Sequence, residues 1–164
     1  MGCWLALGLL AACAAAPGAS VAVFRPEAAP IWSAAAFLPA RIEGDWRQAA
    51  AYASGERPGC APGAVEFRQG AEGLFLRARL CLDGREVSLS GPVGIVGPGR
   101  LSVPGMEDWW VIWVDESYRT LAIATPSGRF GFVLDRGSLP PDRRAAAAEI
   151  FAFNGYSKAR LRPF

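Results

Sequence analysis

The sequence predicts an all-β domain: an eight-stranded antiparallel up-and-down β-barrel with one C-terminal α-helix packed outside it. Between residues 44 and 136, short apolar runs are separated by Gly, Pro, Asp and Ser at regular intervals. Several of these runs place an apolar side chain at every second position, which is typical of strands with one buried face. Only residues 140–155 have the composition of a helix. A meander of this length usually closes into a barrel, because closure removes its exposed edges.

The individual elements are predicted from local patterns. Period-two alternation is clearest at residues 65–68, 76–80, 87–90 and 101–103, and turn residues fall at 70–73, 83–84, 97–99, 115–117 and 126–128. The glycine-rich segment 91–97 is interpreted as a hairpin with bent strands. The helix is expected to begin at residues 140–142 and end at 154–155, since proline suits the first helical turn and glycine the left-handed cap. We expect Ala146, Ile150 and Phe153 to face the barrel.

Composition narrows the possible functions. The chain has 164 residues, of which 52% are apolar and 20% charged, enough for one domain with a hydrophobic core. Its 17 basic and 15 acidic residues leave a net charge of +2, which predicts no nucleic-acid partner. It contains no histidine, which excludes Ser-His triads and His-ligated zinc. Its four cysteines form no Cys-x-x-Cys pair, so no metal site and no cofactor are expected.

The N-terminus has the features of a secretory leader. Residues 4–16 are continuously apolar, a run shorter than the roughly 20 residues that span a bilayer, so residues 1–12 are interpreted as a signal peptide. The run Leu10-Ala11-Ala12-Cys13 resembles the bacterial lipobox, which implies lipidation of Cys13. Because Ala14 follows in place of an acidic residue, the resemblance favours the periplasmic face of the outer membrane. Simple secretion and an uncleaved anchor are the alternatives, and residues 13–41 are interpreted as a tether and lead-in.

Three ordered motifs identify a family resemblance that covers residues 42–164. Residues 42–52, with Gly44 and Trp46, resemble the Gly-x-Trp motif that opens the lipocalin barrel. Residues 110–119, with Asp115 and Tyr118, and residues 126–136, ending in Arg136, are similar to the second and third lipocalin motifs. The spacing is most similar to bacterial lipocalins of the apolipoprotein D branch. The resemblance implies structural roles for these five residues, with the Arg136 guanidinium lying across the Trp46 indole at the closed end.

Strand parity then predicts which side chains line the interior of the barrel. If Trp46 points inward, pleating directs Gln48, Ala50 and Tyr52 inward as well. For the sixth strand, which is apolar on both faces, the resemblance favours Trp109, Val111 and Trp113. The predicted ligand-binding residues are Ala50, Tyr52, Phe67, Leu76, Ala78, Leu89, Trp109, Val111, Trp113, Ala122, Phe130 and Phe132. Such a lining, free of charge, suits an acyl chain, and a filled core without a cavity is the alternative.

A disulfide between Cys60 and Cys81 is also predicted. The two cysteines flank the hairpin that turns at 70–73, and counting outward from the turn places them nearly opposite each other. Free buried thiols are the alternative.

These observations together predict an extracytoplasmic, lipid-anchored lipocalin that binds a fatty acid or lysophospholipid and is not an enzyme. An envelope protein with a filled barrel that has a structural or partner-binding role is the second hypothesis. A lipocalin-fold enzyme acting on an apolar substrate is the third, and it is disfavoured because the chain lacks histidine and inward-facing acids.

Overall fold

The computed structural model describes Met1 and residues 22–164, so Cys13 and nearly all of the predicted signal peptide lie outside the described residues. The described chain folds into ten strands, one α-helix (α1, Pro141–Phe153) and two short 3-10 helices, Pro39–Ile42 and Lys158–Arg160. The strands are β1 (Gly44–Tyr52), β2 (Ala64–Gly70), β3 (Gly73–Leu82), β4 (Arg85–Pro92), β5 (Gly94–Gly97), β6 (Arg100–Ser102), β7 (Trp109–Val114), β8 (Thr120–Ala124), β9 (Gly131–Asp135) and β10 (Leu161–Pro163).

All ten strands belong to one antiparallel sheet, in which β10 pairs only with β1 and the other nine form a path that closes on itself. Their order is β4-β3-β2-β1-β9-β8-β7-β6-β5, so β4 and β5 lie at its two edges. A single residue, Val93, separates these two strands. Its N–H donates to the carbonyl of Leu74 on β3, while the next residue, Gly94, pairs with Ser102 on β6. The chain thus passes directly from one edge of the sheet to the other, and β4 and β5 act as one bent strand of an eight-stranded barrel.

The two ends of the barrel differ. The loops at residues 53–63, 83–84, 103–108 and 125–130 lie at one end, which we call the open end. The turns at 71–72 and 115–119 lie at the opposite, closed end together with the 3-10 helix Pro39–Ile42. Among the described residues, no helix is long and apolar enough to cross a membrane.

Helix α1 covers one side of the barrel. Pro141 occupies its first turn, and Gly155, with φ of 83°, follows its C-cap residue Asn154. The helix buries Ala147 and Phe151. The predicted stripe was wrong, because Ala146 and Phe153 are exposed and Ile150 is only half-buried. Four consecutive alanines at 145–148 make the faces of the helix too similar for sequence to indicate which one is buried.

The wall of the barrel separates two hydrophobic clusters. The inner cluster fills the barrel and comprises Phe37, Ile42, Trp46, Ala51, Val65, Phe67, Leu74, Leu76, Ala78, Leu80, Leu82, Leu89, Val93, Leu101, Val103, Trp109, Val111, Tyr118, Leu121, Ile123, Phe130, Phe132 and Leu134. The outer cluster lies between the wall, α1 and the N-terminal segment, and comprises Phe24, Ala50, Tyr52, Ile112, Ala122, Ala124, Val133, Ala147, Phe151 and Tyr156.

The described part of the predicted tether, residues 22–41, packs along the outside of the barrel. The N–H of Phe24 donates to the carbonyl of Gly128 near the open end, and that of Ala34 donates to Val111 in the middle of β7. Further along, the N–H of Leu38 donates to the hydroxyl of Tyr118 at the closed end. The segment therefore runs from the open end to the closed end before β1 begins.

Candidate functional site

The closed end of the barrel is sealed by a cation–π pair. The guanidinium carbon of Arg136 lies 4.1 Å from the centroid of the Trp46 ring, as the resemblance implies. Arg136 also donates to the carbonyls of Tyr118, Arg41 and Glu43, so its fork is held from several sides. Burial lowers the pKa of Arg136, and the nearby Asp45 opposes this shift. A guanidinium stacked on an indole contributes about 1–2 kcal/mol when it is shielded from water.

Gly44 is required by this arrangement. Its φ is 110°, and a Cβ at this position would lie 2.8 Å from Nη1 of Arg136. The indole N–H of Trp46 donates to the carbonyl of Ile42 at 2.7 Å, which fixes the ring across the bottom of the barrel. The glycine and the tryptophan of the first motif are therefore spaced to admit the arginine of the third.

Asp115 ties the turn between β7 and β8 to the start of α1. Its Oδ1 accepts from the N–H groups of Arg119 and Thr120. Arg143 of the helix lies 3.7 Å from the carboxylates of both Asp115 and Asp135. Asp135 is fully buried and accepts a 2.6 Å hydrogen bond from the hydroxyl of Thr120. This cluster is explained by its role in joining the helix to the barrel.

Eight of the twelve predicted ligand-binding residues face the interior. They are Phe67, Leu76, Ala78, Leu89, Trp109, Val111, Phe130 and Phe132. Trp109 meets Phe132 edge to face, with ring centroids 5.2 Å apart. The buried polar side chain of Gln48, which is paired with inward Leu134, borders this apolar cluster.

Ala50 and Tyr52 do not face the interior, so their predicted orientation was wrong. The pairing of β1 with β9 passes from Gln48–Leu134 directly to Ala50–Val133, which leaves Ala49 as a β-bulge. A bulge inserts one residue and reverses the side-chain parity beyond it. Ala51 consequently enters the inner cluster, while the Tyr52 ring packs against Phe151 of α1.

Trp113 and Ala122 were also assigned to the wrong face. In the pairing of β7 with β8, Val111 is opposite Ile123 and Trp113 is opposite Ala122, which leaves Ile112 as a second bulge. Trp113 is half-buried and packs against the outer cluster. Ala122 and Ala124 face outward as well, while the intervening Ile123 and the preceding Leu121 face inward.

The interior of the barrel is densely packed. Phe67, Leu76, Trp109 and Phe132 have no accessible surface, as have six other members of the inner cluster: Ile42, Leu80, Val111, Leu121, Ile123 and Leu134. Since a cavity large enough for water would expose the side chains that line it, no such cavity adjoins these ten. Leu82, Val103 and Phe130, close to the open end, retain 6–9% of their exposure. Access from this end is therefore shallow.

Met106 is a residue near the opening that no sequence pattern indicates. It lies in the loop before β7, is half-buried, and packs against the inner cluster. The indole N–H of Trp109 donates to its sulfur at 3.4 Å. A loop residue carries no periodic signal, so no pattern in the sequence could have indicated its place over Trp109.

Gln48 closes a gap in the wall near the open end. Its side-chain oxygen accepts from the N–H groups of Gly63 and Cys81, and its amide nitrogen donates to the carbonyl of Cys81. Gly63 leaves room for this amide, because a Cβ there would lie 2.8 Å from it. The glutamine therefore joins β1 to β3 at the level where β2 has not yet begun.

The predicted disulfide between Cys60 and Cys81 is confirmed, with Cα atoms 5.7 Å apart. It ties the loop of residues 53–63 to β3 at the open end. A cross-link of this loop length stabilises the folded state by about 2–4 kcal/mol.

A cavity of about 730 Å³ lies against strands β1–β4. Its lining includes Arg47, Arg77, Arg79, Ser88 and Ser90, whose side chains are exposed on the outer face of the wall. The inward residues Trp46, Val65, Ala78 and Leu89 also line it, each between two outward neighbours, whereas Trp109 and Phe132 across the barrel do not. This cavity is therefore an external groove and not the interior of the barrel.

The amino-acid sequence of the chain matches no model of a known protein family and no curated protein. Its structure resembles a cockroach major allergen, Per a 4, with a TM-score of 0.61 at 10% identity, over 84% of this chain and 94% of that one. It also resembles lobster apocrustacyanin A1, with a TM-score of 0.55 at 12% identity over 76% and 77% of the two chains. The siderocalin Ex-FABP gives a TM-score of 0.54 at 12% identity over 75% and 94%. With its barrel-forming meander, its closed end sealed by Arg136 and Trp46, and its single C-terminal helix, the chain has the lipocalin fold.

Proposed function

We propose that this protein binds a slender apolar ligand, of the fatty acid or lysophospholipid class, through the open end of its barrel. It acts outside the cytoplasm, anchored by lipid on Cys13 to the periplasmic face of the outer membrane. The observation that carries the proposal is the inner cluster of apolar side chains, whose remaining accessible surface near the open end belongs to Leu82, Val103 and Phe130.

The packed interior limits the kind of ligand. An acyl chain is narrow, so it can enter when single side chains change rotamer and make room for it. A bulky ring system would need a cavity that exists before it binds. Met106 is suited to such replacement, because methionine is unbranched and adopts several rotamers at low cost. When its side chain swings away from Trp109, the chain end of a ligand can contact the indole.

The extracytoplasmic location is supported by the disulfide. Disulfides form and persist in oxidising compartments such as the periplasm and are rare in the cytosol. The lipobox-like run that ends at Cys13 supplies the anchor in this proposal.

The proposal assigns binding and not turnover. The single member of the inner cluster with an ionisable group is Tyr118, whose hydroxyl accepts the N–H of Leu38 at the closed end. General acid–base catalysis needs a titratable group within hydrogen-bond reach of the substrate. The carboxylate of Glu107, between Met106 and Trp109 in the chain, is engaged by the N–H and hydroxyl of Ser127.

The matched variants Trp109→Leu and Trp113→Leu test the binding site. The first shortens a side chain inside the barrel and the second removes the same indole from the outer face. We expect native mass spectrometry to detect fatty acid bound to the wild-type protein at micromolar concentrations. Trp109→Leu should prefer longer chains, while Trp113→Leu should match the wild type. Identical preferences in all three proteins would place the ligand elsewhere.

A second function is favoured by one observation, the complete burial of the ten inner residues named above. If the barrel remains filled, the protein serves as a structural or partner-binding component of the envelope. The same titration separates the two functions: no saturable binding by the wild-type protein at micromolar lipid would exclude the carrier and favour the filled barrel.

A further inference from the structure

A small cavity of about 180 Å³, which we call the mouth cavity, lies across the open end of the barrel. Its lining includes Asp83 and Arg85 from the β3–β4 hairpin, Arg129 from the β8–β9 loop, and Ala22. When β4 and β5 are counted as one bent strand, four strands separate this hairpin from this loop in either direction around the barrel. The hairpin and the loop stand on opposite sides of the opening, so a cavity that contacts both lies over the opening and not against one wall.

The floor of the mouth cavity is the top of the inner cluster. Leu82 belongs to that cluster and retains 9% of its exposure, and Val87 is half-buried against it. Arg85 is paired with inward Leu82 and lies four positions before inward Leu89, so its side chain leaves the backbone on the inward side of β4. The mouth cavity therefore has an apolar floor and a charged rim.

Two arginines on this rim have no acidic partner. Arg85 and Arg129 are exposed, and neither forms an ion pair with a described residue. Residues 2–21, which lie outside the described range, contain no charged side chain that could supply one. Both positive charges are therefore available to a ligand.

The acids of the open end do not neutralise the rim. Asp83 is the one acid in the described lining, and its two carboxylate oxygens accept from the N–H and the hydroxyl of Ser54. The other acids of the open-end loops, Glu56, Glu107 and Asp108, do not line the cavity. The described lining therefore carries two positive charges and one negative charge, which favours an anion.

The size of the mouth cavity suits a head group and not a whole ligand. Sites that enclose a drug-sized molecule have volumes of roughly 300–1,000 Å³, and the mouth cavity is smaller. Guanidinium groups bind carboxylates and phosphates through charge-assisted hydrogen bonds, often two at a time. A tail attached to such a head group would continue over the apolar floor at Leu82.

We infer that Arg85 and Arg129 bind the anionic head group of the ligand in the mouth cavity, while its acyl tail enters the barrel past Leu82. The inference rests on the proposed binding function and narrows it, because the ligand is then a single-chain amphiphile whose head is a carboxylate or a phosphate. A lipid with the same tail and a neutral head should bind more weakly.

Competition between two lipids of equal tail length tests the head site. The full-length protein is mixed at pH 8 with equal micromolar concentrations of dodecanoic acid and 1-dodecanol, and native mass spectrometry measures the two complexes. We expect the acid complex to exceed the alcohol complex by about tenfold, the effect of one charge-assisted hydrogen bond. In a second arm dodecyl phosphate competes with the acid, and the more abundant complex distinguishes a phosphate ligand from a carboxylate ligand.

Matched charge variants show whether these arginines cause the preference. In Arg85→Gln with Arg129→Gln, the acid complex should fall to the level of the alcohol complex, while binding of the alcohol is unchanged. The control Arg47→Gln with Arg77→Gln removes the same charge from the exposed outer face of β1 and β3 and should keep the wild-type ratio. A tenfold preference that survives in the first double variant, or that is lost equally in the control, overturns the assignment of Arg85 and Arg129.

The wild-type result separates this inference from the proposed function. Equal and saturable binding of the acid and the alcohol overturns the head site and leaves the carrier function standing. The absence of any lipid complex at micromolar concentrations overturns the carrier function, and the head site with it.

Discussion

The two sides of the barrel wall are built by different rules. On β2, β3 and β4 the outer face is in water, so inward Phe67 lies between the charged residues Glu66 and Arg68, and inward Ala78 between Arg77 and Arg79. On β8 and β9, which α1 and the N-terminal segment cover, all ten residues are buried. The alternation of polar and apolar residues therefore indicates which side chains face inward on β2, β3 and β4. No such alternation exists on β8 and β9.

The difference explains where parity was lost. A bulge changes orientation without changing composition when the residues around it are all apolar. Residues 49–51 are three alanines, and residues 109–114 contain only tryptophan, valine and isoleucine. Neither segment contains a polar residue that would mark the change of face, so a regular strand was the simplest interpretation of both.

The largest effect we expect comes from placing a charge on β1. Ala51→Asp would bury a carboxylate among the apolar side chains of the inner cluster, and should prevent folding. Ala49→Asp changes the bulge residue, which is half-buried and has no partner in the ladder with β9. We expect Ala49→Asp to cost about 1–2 kcal/mol, the lower part of the range for single changes.

Circular dichroism and urea unfolding of the two variants decide this prediction. If Ala51→Asp were as stable as Ala49→Asp, the orientation of β1 beyond residue 48 would not be fixed by the bulge.

The two tryptophans of β7 offer a comparison of the inner and outer faces. Trp109→Ala empties a fully buried site beside Phe132 and should cost about 3–5 kcal/mol. Trp113→Ala removes the same side chain from a half-buried position on the outer cluster and should cost about half as much or less. Chemical unfolding of both variants at pH 7 measures the difference, and equal losses would contradict the assignment of the two rings to opposite faces.

The sequence predicted the features that depend on a difference between neighbouring residues, such as polar beside apolar or turn-forming beside strand-forming. The alternating strands, the disulfide pair and the bounds of the helix are of this kind. It also predicted, through the resemblance, the stacking of Arg136 on Trp46. It missed the buried face of α1, where Ala147 and Phe151 have neighbours as apolar as themselves, and it missed Met106 and Phe37, which belong to loops. These last positions depend on tertiary packing, which no periodicity records.

Arg25 holds the N-terminal segment against β8, β9 and the end of α1. Replacing its guanidinium should therefore loosen this side of the barrel and not the side formed by β2, β3 and β4. Arg25→Met keeps the length of the side chain but leaves the carbonyls of Asn154, Pro126 and Ala29 without their donor. The expected loss is about 2–4 kcal/mol, since donors that carry charge are worth more than neutral ones.

Hydrogen exchange locates the effect of this change. The amide of Phe24 should exchange faster in Arg25→Met, while the amides of β2 and β3 keep their relative protection. Arg77 is an exposed arginine on the outer face of β3, which no helix covers. The free energy of unfolding of Arg77→Met should stay within about 0.5 kcal/mol of the wild-type value. Uniformly faster exchange in Arg25→Met would mean that the N-terminal segment supports the whole barrel and not one side.

The smallest effect concerns two tyrosines that share the outer cluster, with ring centroids 4.8 Å apart. The hydroxyl of Tyr52 is buried and has no hydrogen-bond partner among the described residues. The hydroxyl of Tyr156 accepts the N–H of Thr125 and lies 2.8 Å from the carbonyl of Phe130. Tyr156→Phe should therefore cost about 1–3 kcal/mol, whereas Tyr52→Phe should be neutral or stabilising by up to about 1 kcal/mol.

Alkaline pH should separate the pair further. Burial raises the pKa of both tyrosines above the ordinary value of 10.0, with the Tyr156 hydroxyl adding to the shift at Tyr52. Above pH 10 the unfolded chain releases protons that the folded chain retains, so the free energy of unfolding falls as pH rises. Tyr52→Phe removes one of these groups, and its stability should fall less steeply than that of the wild type between about pH 10 and pH 11.5. Urea unfolding across this range measures the slopes. Parallel slopes would show that Tyr52 ionises as readily in the folded protein as in the unfolded chain, and that the helix side of the wall is open to water.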